Sequence, residues 1–144
     1  MFGRGETMKQ FDVLLVDDEE RFLETTSRLL ARKGYTVSVA SGGAEALEIL
    51  ESCSVKIAIL DVRMPGIDGI QVLKMIKREY PLVEVMMLTG HVTVDAAVEG
   101  LKSGAGDYLM KPVDIDELTL KIDEALEKQA LIRQKISLVQ PHQH

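Results

Sequence analysis

Five short apolar segments alternate with five stretches of helical periodicity along the chain, and this alternation limits the possible folds more than any other feature. The predicted strands are 11–16, 36–40, 57–60, 85–88 and 108–110, and the predicted helices are 21–33, 44–50, 70–76, 96–101 and one that starts near Ile115. Short apolar runs that end at polar residues are typical of strands buried on both faces of a parallel sheet. Because parallel neighbours need a helical return, we predict an α/β fold. It would be a doubly wound, five-stranded parallel sheet with helices on both faces and right-handed crossovers.

Charged or hydroxyl-bearing residues end or follow four of the predicted strands. Asp17 and Asp18 follow the first strand, Asp61 the third and Lys111 the fifth, and Thr89 ends the fourth. Each residue alone is typical of a helix cap or a solvated loop. In a parallel sheet, however, these positions share one edge, which is where such folds bind their ligands.

Three carboxylates at one edge repel each other unless a cation neutralises them. A purely oxygen donor set favours Mg²⁺, which uses one or two carboxylates together with water and a phosphoryl oxygen. A carboxylate beside a metal ion and the Lys111 ammonium is a plausible nucleophile toward phosphorus. The pattern therefore predicts a phosphoryl-transfer site.

The motifs around these residues resemble those of response-regulator receiver domains. The matching segments are LVDDE at 15–19, LDVRMPGIDG at 60–69, LTG at 88–90 and DYLMKP at 107–112. The resemblance covers roughly 11–129, and the stretch 88–112 is similar to receivers of NtrC-type transcription activators. It implies a flavodoxin-like strand order of 2-1-3-4-5.

The resemblance also implies a metal site. Asp61 would accept a phosphoryl group from a sensor histidine kinase, with Asp18 a direct ligand of Mg²⁺ and Asp17 a ligand through water. The backbone carbonyl of Arg63 would be the remaining protein ligand. The protein would then catalyse its own Mg²⁺-dependent phosphorylation and dephosphorylation without being a conventional enzyme.

The resemblance assigns a second group of residues to catalysis and switching. Thr89 would hydrogen-bond the phosphoryl group, Lys111 would pair with it, and the small Gly90 would leave room for the donor. Tyr108 would turn inward when Thr89 moves, which would change the surface of the fourth helix, fifth strand and fifth helix and so control an output partner or domain. The bond between Lys111 and Pro112 matches one that is usually cis in receivers.

Arg63 and His91 match positions where receivers vary and which influence how fast the phosphoryl group is lost. A solvated loop is the plainer interpretation of both residues.

Two other classes fit part of the pattern. A phosphatase of the haloacid dehalogenase type also uses Mg²⁺, Asp, Thr and Lys, but it should carry a second Asp two residues after the nucleophile, where this chain has Arg63. A flavodoxin-like cofactor binder should have a Ser/Thr/Gly-rich phosphate loop after the first strand, where the acidic run at 17–20 would repel a phosphate.

The carboxyl-terminal part keeps a heptad-like apolar spacing beyond the expected end of a receiver. We divide the chain into a flexible amino-terminal tail (1–10), a receiver domain (11–128) and a helical extension or linker (129–144). The extension would continue the last helix to Val139, end at Pro141 and lead to an effector domain or support a homodimer.

The 144 residues are 46% hydrophobic and carry a formal net charge of −6, with basic residues spread along the chain. This composition predicts no direct nucleic-acid binding by this region and no membrane association. The chain has no signal-peptide pattern and one cysteine, Cys53, which predicts a reducing, cytoplasmic location.

Overall fold

Five parallel strands form a single sheet in the order β2-β1-β3-β4-β5. The computed structural model describes residues 8–62, 68–90 and 94–139. The elements follow in the order β1 (Lys9–Val16), α1 (Glu20–Arg32), β2 (Val37–Ala40), α2 (Gly43–Ser52), β3 (Cys53–Leu60), α3 (Gly69–Glu79), β4 (Glu84–Thr89), α4 (Val94–Lys102), β5 (Asp107–Met110) and α5 (Ile115–Val139). The predicted fold class, strand order and element sequence are confirmed.

Alternate residues of the central strands face two separate hydrophobic layers, as the period of a strand requires. Val13 and Leu15 of β1 face α1 and α5, where Leu30 and Ile122 are among their buried neighbours. Leu14 of β1 faces the opposite layer, which is lined by α2 and α3. Helices therefore cover both faces of the sheet and leave the strand ends to form its edges.

The starts of β1 and β3 differ most from the predicted strand limits, whereas the limits of the other strands differ by one residue. β1 begins at Lys9, so Lys9 and Gln10, the last residues of the predicted tail, lie in a strand and pair with Cys53 and Ser54 at the start of β3. These first residues of both strands are mostly exposed. The sequence therefore carries no long apolar run there, although the backbone hydrogen bonds continue.

Local signals fix several helix ends. Asp68 caps α3 by accepting a hydrogen bond from the backbone N–H of Gln71 at 2.9 Å, and Gly34 follows α1 with a φ of 103° that favours glycine. The Lys111–Pro112 peptide bond is cis.

Helix α5 extends well past the sheet. Leu118, Ile122, Ala125 and Gln129 are buried against the domain, so its packing reaches one residue beyond the boundary predicted at 128. The part of α5 that follows Gln129 is exposed, including Leu131 and Ile136. Pro141 lies outside the described residues, and the division into domains remains a prediction. In the parts of the chain that the structure describes, no helix combines the length and apolar character needed to cross a membrane.

Candidate phosphoryl-transfer site

The carboxyl ends of β1 and β3 bring three carboxylates together. The side chains of Asp17, Asp18 and Asp61 each place an oxygen within 4.8 Å of the others. The backbone fixes two of them, because Asp17 N–H donates to the carbonyl of Ala40 and Asp61 N–H donates to that of Val16, both at 3.1 Å. The sequence prediction that these residues converge is therefore seen in the structure.

The three carboxylates differ in burial and in the charges around them. Asp17 and Asp61 are buried, with 1% and 6% of their surfaces exposed, whereas Asp18 faces solvent. Burial raises the pKa of the Asp17 carboxyl; hydrogen bonds from Lys111 and the Glu19 backbone oppose this rise, and the nearby charge of Asp61 adds to it. Two of the three carboxylates are thus shielded from solvent, and the third lies at the surface.

Lys111 brings a positive charge to the three carboxylates. Its backbone N–H donates to the Thr89 carbonyl at 2.9 Å, which fixes it beside the end of β4. Its Nζ lies 2.5 Å from Asp17 Oδ2, 2.6 Å from Glu19 Oε1 and 3.9 Å from Asp61 Oδ2. Burial alone would lower the pKa of the ammonium, but the hydrogen bonds to Asp17 and Glu19 outweigh it and raise that pKa.

Thr89 and Tyr108 lie on the neighbouring strands. Thr89 ends β4 and is fully buried. Tyr108 packs against the hydrophobic layer formed by α2 and α3, and its buried hydroxyl has no hydrogen-bond partner among the described residues. Burial raises the pKa of that hydroxyl, and the charge of Asp61 adds to the effect.

An open cleft of about 1270 Å³ leads to the group of carboxylates. Asp18, Asp61 and Lys111 line it, and so does Gly90. Among the described residues, a Cβ added at Gly90 would come within 4 Å only of the Cβ of Lys111, at 3.9 Å, which is an ordinary van der Waals contact. The two variable positions Arg63 and His91, including the Arg63 carbonyl predicted as a metal ligand, lie outside the described residues.

Three contributors to the site carried no predicted role. Gly69 packs so tightly on the backbone after β3 that an added Cβ would overlap the Asp61 carbonyl oxygen and lie 2.8 Å from Val62 Cα. Glu19 pairs with Lys111, and the ring centroid of Phe22 lies 4.2 Å from the same ammonium. The glycine at a helix start was a usable signal for Gly69, whereas nothing local points to the other two.

The fold and site define a response-regulator receiver. Residues 13–123 match the family model described as the response regulator receiver domain, and the chain belongs to that family. This membership sets aside the phosphatase and flavodoxin-like alternatives.

Comparison with curated relatives identifies the subgroup within the receiver family. The chain is 40% identical over 133 residues to an NtrX-like response regulator of Rickettsia felis, which covers 91% of this chain and 28% of that one. It is also 40% identical over 119 residues to the DNA-binding transcriptional regulator NtrC of Escherichia coli K12, covering 83% of this chain and 25% of that one. The chain is thus a receiver of NtrC/NtrX-like type and spans about a quarter of the length of these curated relatives.

Solved structures agree with this placement. The receiver domain of NtrX from Brucella abortus superposes with a TM-score of 0.76 at 31% identity, covering 81% of this chain and 98% of that one. A CheY-like receiver domain protein from Methanospirillum hungatei gives a TM-score of 0.80 at 31% identity, covering 86% and 98%.

Proposed function

We propose that the chain is a phosphorylation switch that takes a phosphoryl group from a sensor histidine kinase onto Asp61. The observation that carries this proposal is the convergence of three carboxylates, with a lysine ammonium 3.9 Å from one of them, at the end of a parallel sheet. Asp61 follows the central strand β3 and lines the open cleft. Membership of the receiver family supports the same choice.

The donor set fits Mg²⁺. Asp17, Asp18 and Asp61 offer only oxygen ligands, which hard cations prefer. Burial raises the pKa of the Asp17 carboxyl because it disfavours the charged form, and the hydrogen bond from Lys111 only partly offsets this effect. A divalent cation would stabilise the charged carboxylate further. These three residues would hold the ion, and the carbonyl of Arg63 remains a predicted fourth ligand. When bound, Mg²⁺ would neutralise charge that develops on the transferred phosphoryl group.

The transfer is a displacement at phosphorus. An Oδ of Asp61 attacks the phosphorus, a new P–O bond forms, and the bond to the donor nitrogen or oxygen breaks with its electron pair leaving on the donor. Lys111 and Thr89 would bind oxygens of the transferred group. In dephosphorylation, a separate step, water attacks the phosphorus, the P–O bond to Asp61 breaks with its electron pair on the carboxylate, and inorganic phosphate is released. The protein would therefore process its own phosphoryl group rather than an external substrate.

The signal would leave through α4, β5 and α5. The phosphoryl group adds about −1.5 to −2 charge and strong acceptor oxygens beside Thr89. Movement of Thr89 would let Tyr108 settle further inward, which would bias α4 and α5 between two arrangements. The exposed apolar residues Val98, Leu101 and Met110 lie on these elements, at 43%, 49% and 60% exposure. They would contribute to the surface that an output partner or effector domain reads.

The extension at 129–144 is proposed as a helical linker toward such an effector domain, and it would also support a homodimer. Its exposed residues Leu131, Ile132 and Ile136 have no described part of the receiver to pack against. The matched stretch makes up only 28% and 25% of two curated relatives, which leaves length for an effector domain in proteins of this kind. We place the whole switch in the cytoplasm, where it would meet its kinase.

The proposal is tested by phosphorylation with Mg²⁺ and acetyl phosphate. Intact-mass spectrometry should show one phosphoryl adduct on the wild-type protein and none on Asp61→Asn. Asp95→Asn is the matched control, because Asp95 is an exposed carboxylate in the first turn of α4 and should leave labelling unchanged. Equal labelling of Asp61→Asn and wild type would refute the assignment.

A further inference from the structure

The ammonium of Lys111 is held mainly by residues other than the proposed phosphoacceptor. Its Nζ lies within hydrogen-bond distance of Asp17 and Glu19, at 2.5 and 2.6 Å, but 3.9 Å from Asp61. The ring centroid of Phe22 lies 4.2 Å from the same nitrogen, close enough for a cation–π interaction. Only 13% of the Lys111 side chain is exposed, so few alternative positions are open to it.

Glu19 is placed for this contact rather than for helix capping. It occupies the N-cap position of α1, where Ser, Thr, Asp and Asn are preferred because their short side chains accept a hydrogen bond from the first turn. The Glu19 side chain makes no such bond, and its carboxylate reaches Lys111 instead. Phe22, three residues later on α1, adds its ring to the same ammonium. The start of α1 therefore forms a holding site for the cation.

We propose that Glu19 is a positioning residue that, together with Phe22, keeps the Lys111 ammonium away from Asp61 before phosphorylation. This inference rests on the proposed function of Asp61 and adds a restraint to it. Movement of the Lys111 ammonium from 3.9 Å to hydrogen-bond distance of a phosphoryl group on Asp61 would stretch the 2.6 Å contact with Glu19. Glu19 is not one of the three converging carboxylates, so it would still compete for Lys111 when those three hold a cation.

The expected strength of the Glu19–Lys111 ion pair follows from its exposure to solvent. The Glu19 side chain is 63% exposed, so the pair is screened by solvent and its contribution falls in the range of surface ion pairs. Removal of the Glu19 charge should accordingly raise the rate of phosphorylation at subsaturating donor by about two- to fivefold. The difference should shrink as salt concentration rises, because exposed charge pairs are screened.

The test compares Glu19→Gln with Glu20→Gln. Both variants remove one exposed negative charge at the start of α1, but Glu20 makes no ion pair with Lys111 in the part of the chain that the structure describes. Rates are measured with Mg²⁺ over a series of acetyl phosphate concentrations. We expect Glu19→Gln to lower the apparent KM for the donor two- to fivefold, and Glu20→Gln to leave it close to the wild-type value. Equal effects of the two variants, or a higher KM in Glu19→Gln, would overturn the proposal.

A second readout is independent of phosphorylation. In the wild-type protein without donor, the side-chain protons of Lys111 should show an upfield ring-current shift from Phe22 in NMR spectra. This shift should fall in Glu19→Gln, vanish in Phe22→Leu and persist in Glu20→Gln. An unchanged shift in Glu19→Gln would refute the holding role even where the kinetics agree. If the wild-type protein takes no phosphate on Asp61, the proposed function fails as well, whereas failure of the variant comparison alone leaves that function standing.

Discussion

Gln129 provides a stability test of how α5 is fixed to the sheet. Its side chain is 3% exposed, and its Nε2 donates to the carbonyl of Lys56 at 2.6 Å and to that of Leu82 at 2.8 Å. One carbonyl belongs to β3 and the other to the segment before β4. A single amide thus joins α5 to two parts of the chain that are 73 and 47 residues away.

The expected loss of stability on substitution of Gln129 follows from these two hydrogen bonds. Each contributes about 1 kcal/mol net, so Gln129→Ala should lower the free energy of unfolding by about 2 kcal/mol. Gln129→Glu keeps the shape but replaces both donors by a carboxylate facing two carbonyl oxygens, and it should cost about 3 kcal/mol or more at neutral pH. Loss of a buried polar contact is among the few mechanisms that give effects of this size.

The assay is urea unfolding followed by far-ultraviolet circular dichroism. Gln134→Ala and Gln134→Glu are the matched controls, because Gln134 lies on the same helix and is exposed. These controls should stay within about 0.5 kcal/mol of wild type. The reasoning is refuted if Gln129→Ala and Gln134→Ala have the same unfolding free energy within that margin.

Four further outcomes are expected. Asp18→Ala should weaken Mg²⁺ binding at least tenfold by isothermal titration calorimetry, since it removes a proposed ligand; unchanged affinity would contradict the ligand role. Gly69→Ala should lower the free energy of unfolding in urea by about 1–3 kcal/mol because its Cβ would overlap backbone atoms, whereas Gly42→Ala, where a Cβ meets no atom of the described residues within 4 Å, should lower it by less than about 1 kcal/mol. Tyr108→Ala should still be phosphorylated, but amide exchange of α4 and α5 should no longer respond as in wild type; an identical response would exclude the relay. A chain stopped at Ala130, which keeps the hydrogen bonds of Gln129, should sediment as a monomer while the whole chain self-associates; if both sediment as monomers, the extension needs a different partner.

Much of the fold was predictable because its signals are local. Each buried strand gives a short apolar run, each helix gives an amphipathic period, and turn residues such as Gly34 and Asp68 separate them. The starts of β1 and β3 were missed because Lys9, Gln10 and Ser54 are polar and exposed. Their strand pairing depends on backbone hydrogen bonds, which do not require apolar side chains.

The candidate site was predictable for a related reason. Asp17, Asp18, Asp61 and Lys111 come directly after strands, and Thr89 ends one, so parallel order alone brings them to one edge of the sheet. The sequence therefore determined which residues meet, together with the family that their motifs resemble.

Only the tertiary structure decided how these residues are held. Glu19 and Lys111 are 92 residues apart, and their contact depends on the angle at which α1 leaves β1 and on the path after β5. The contact of Gly69 with the Asp61 backbone depends on helix packing. The hydrogen bonds that Gln129 donates to the carbonyls of Lys56 and Leu82 depend on it as well. Such contacts leave no periodic pattern in the sequence, because each depends on one residue placed by the sum of many weak packing interactions rather than by its neighbours in the chain.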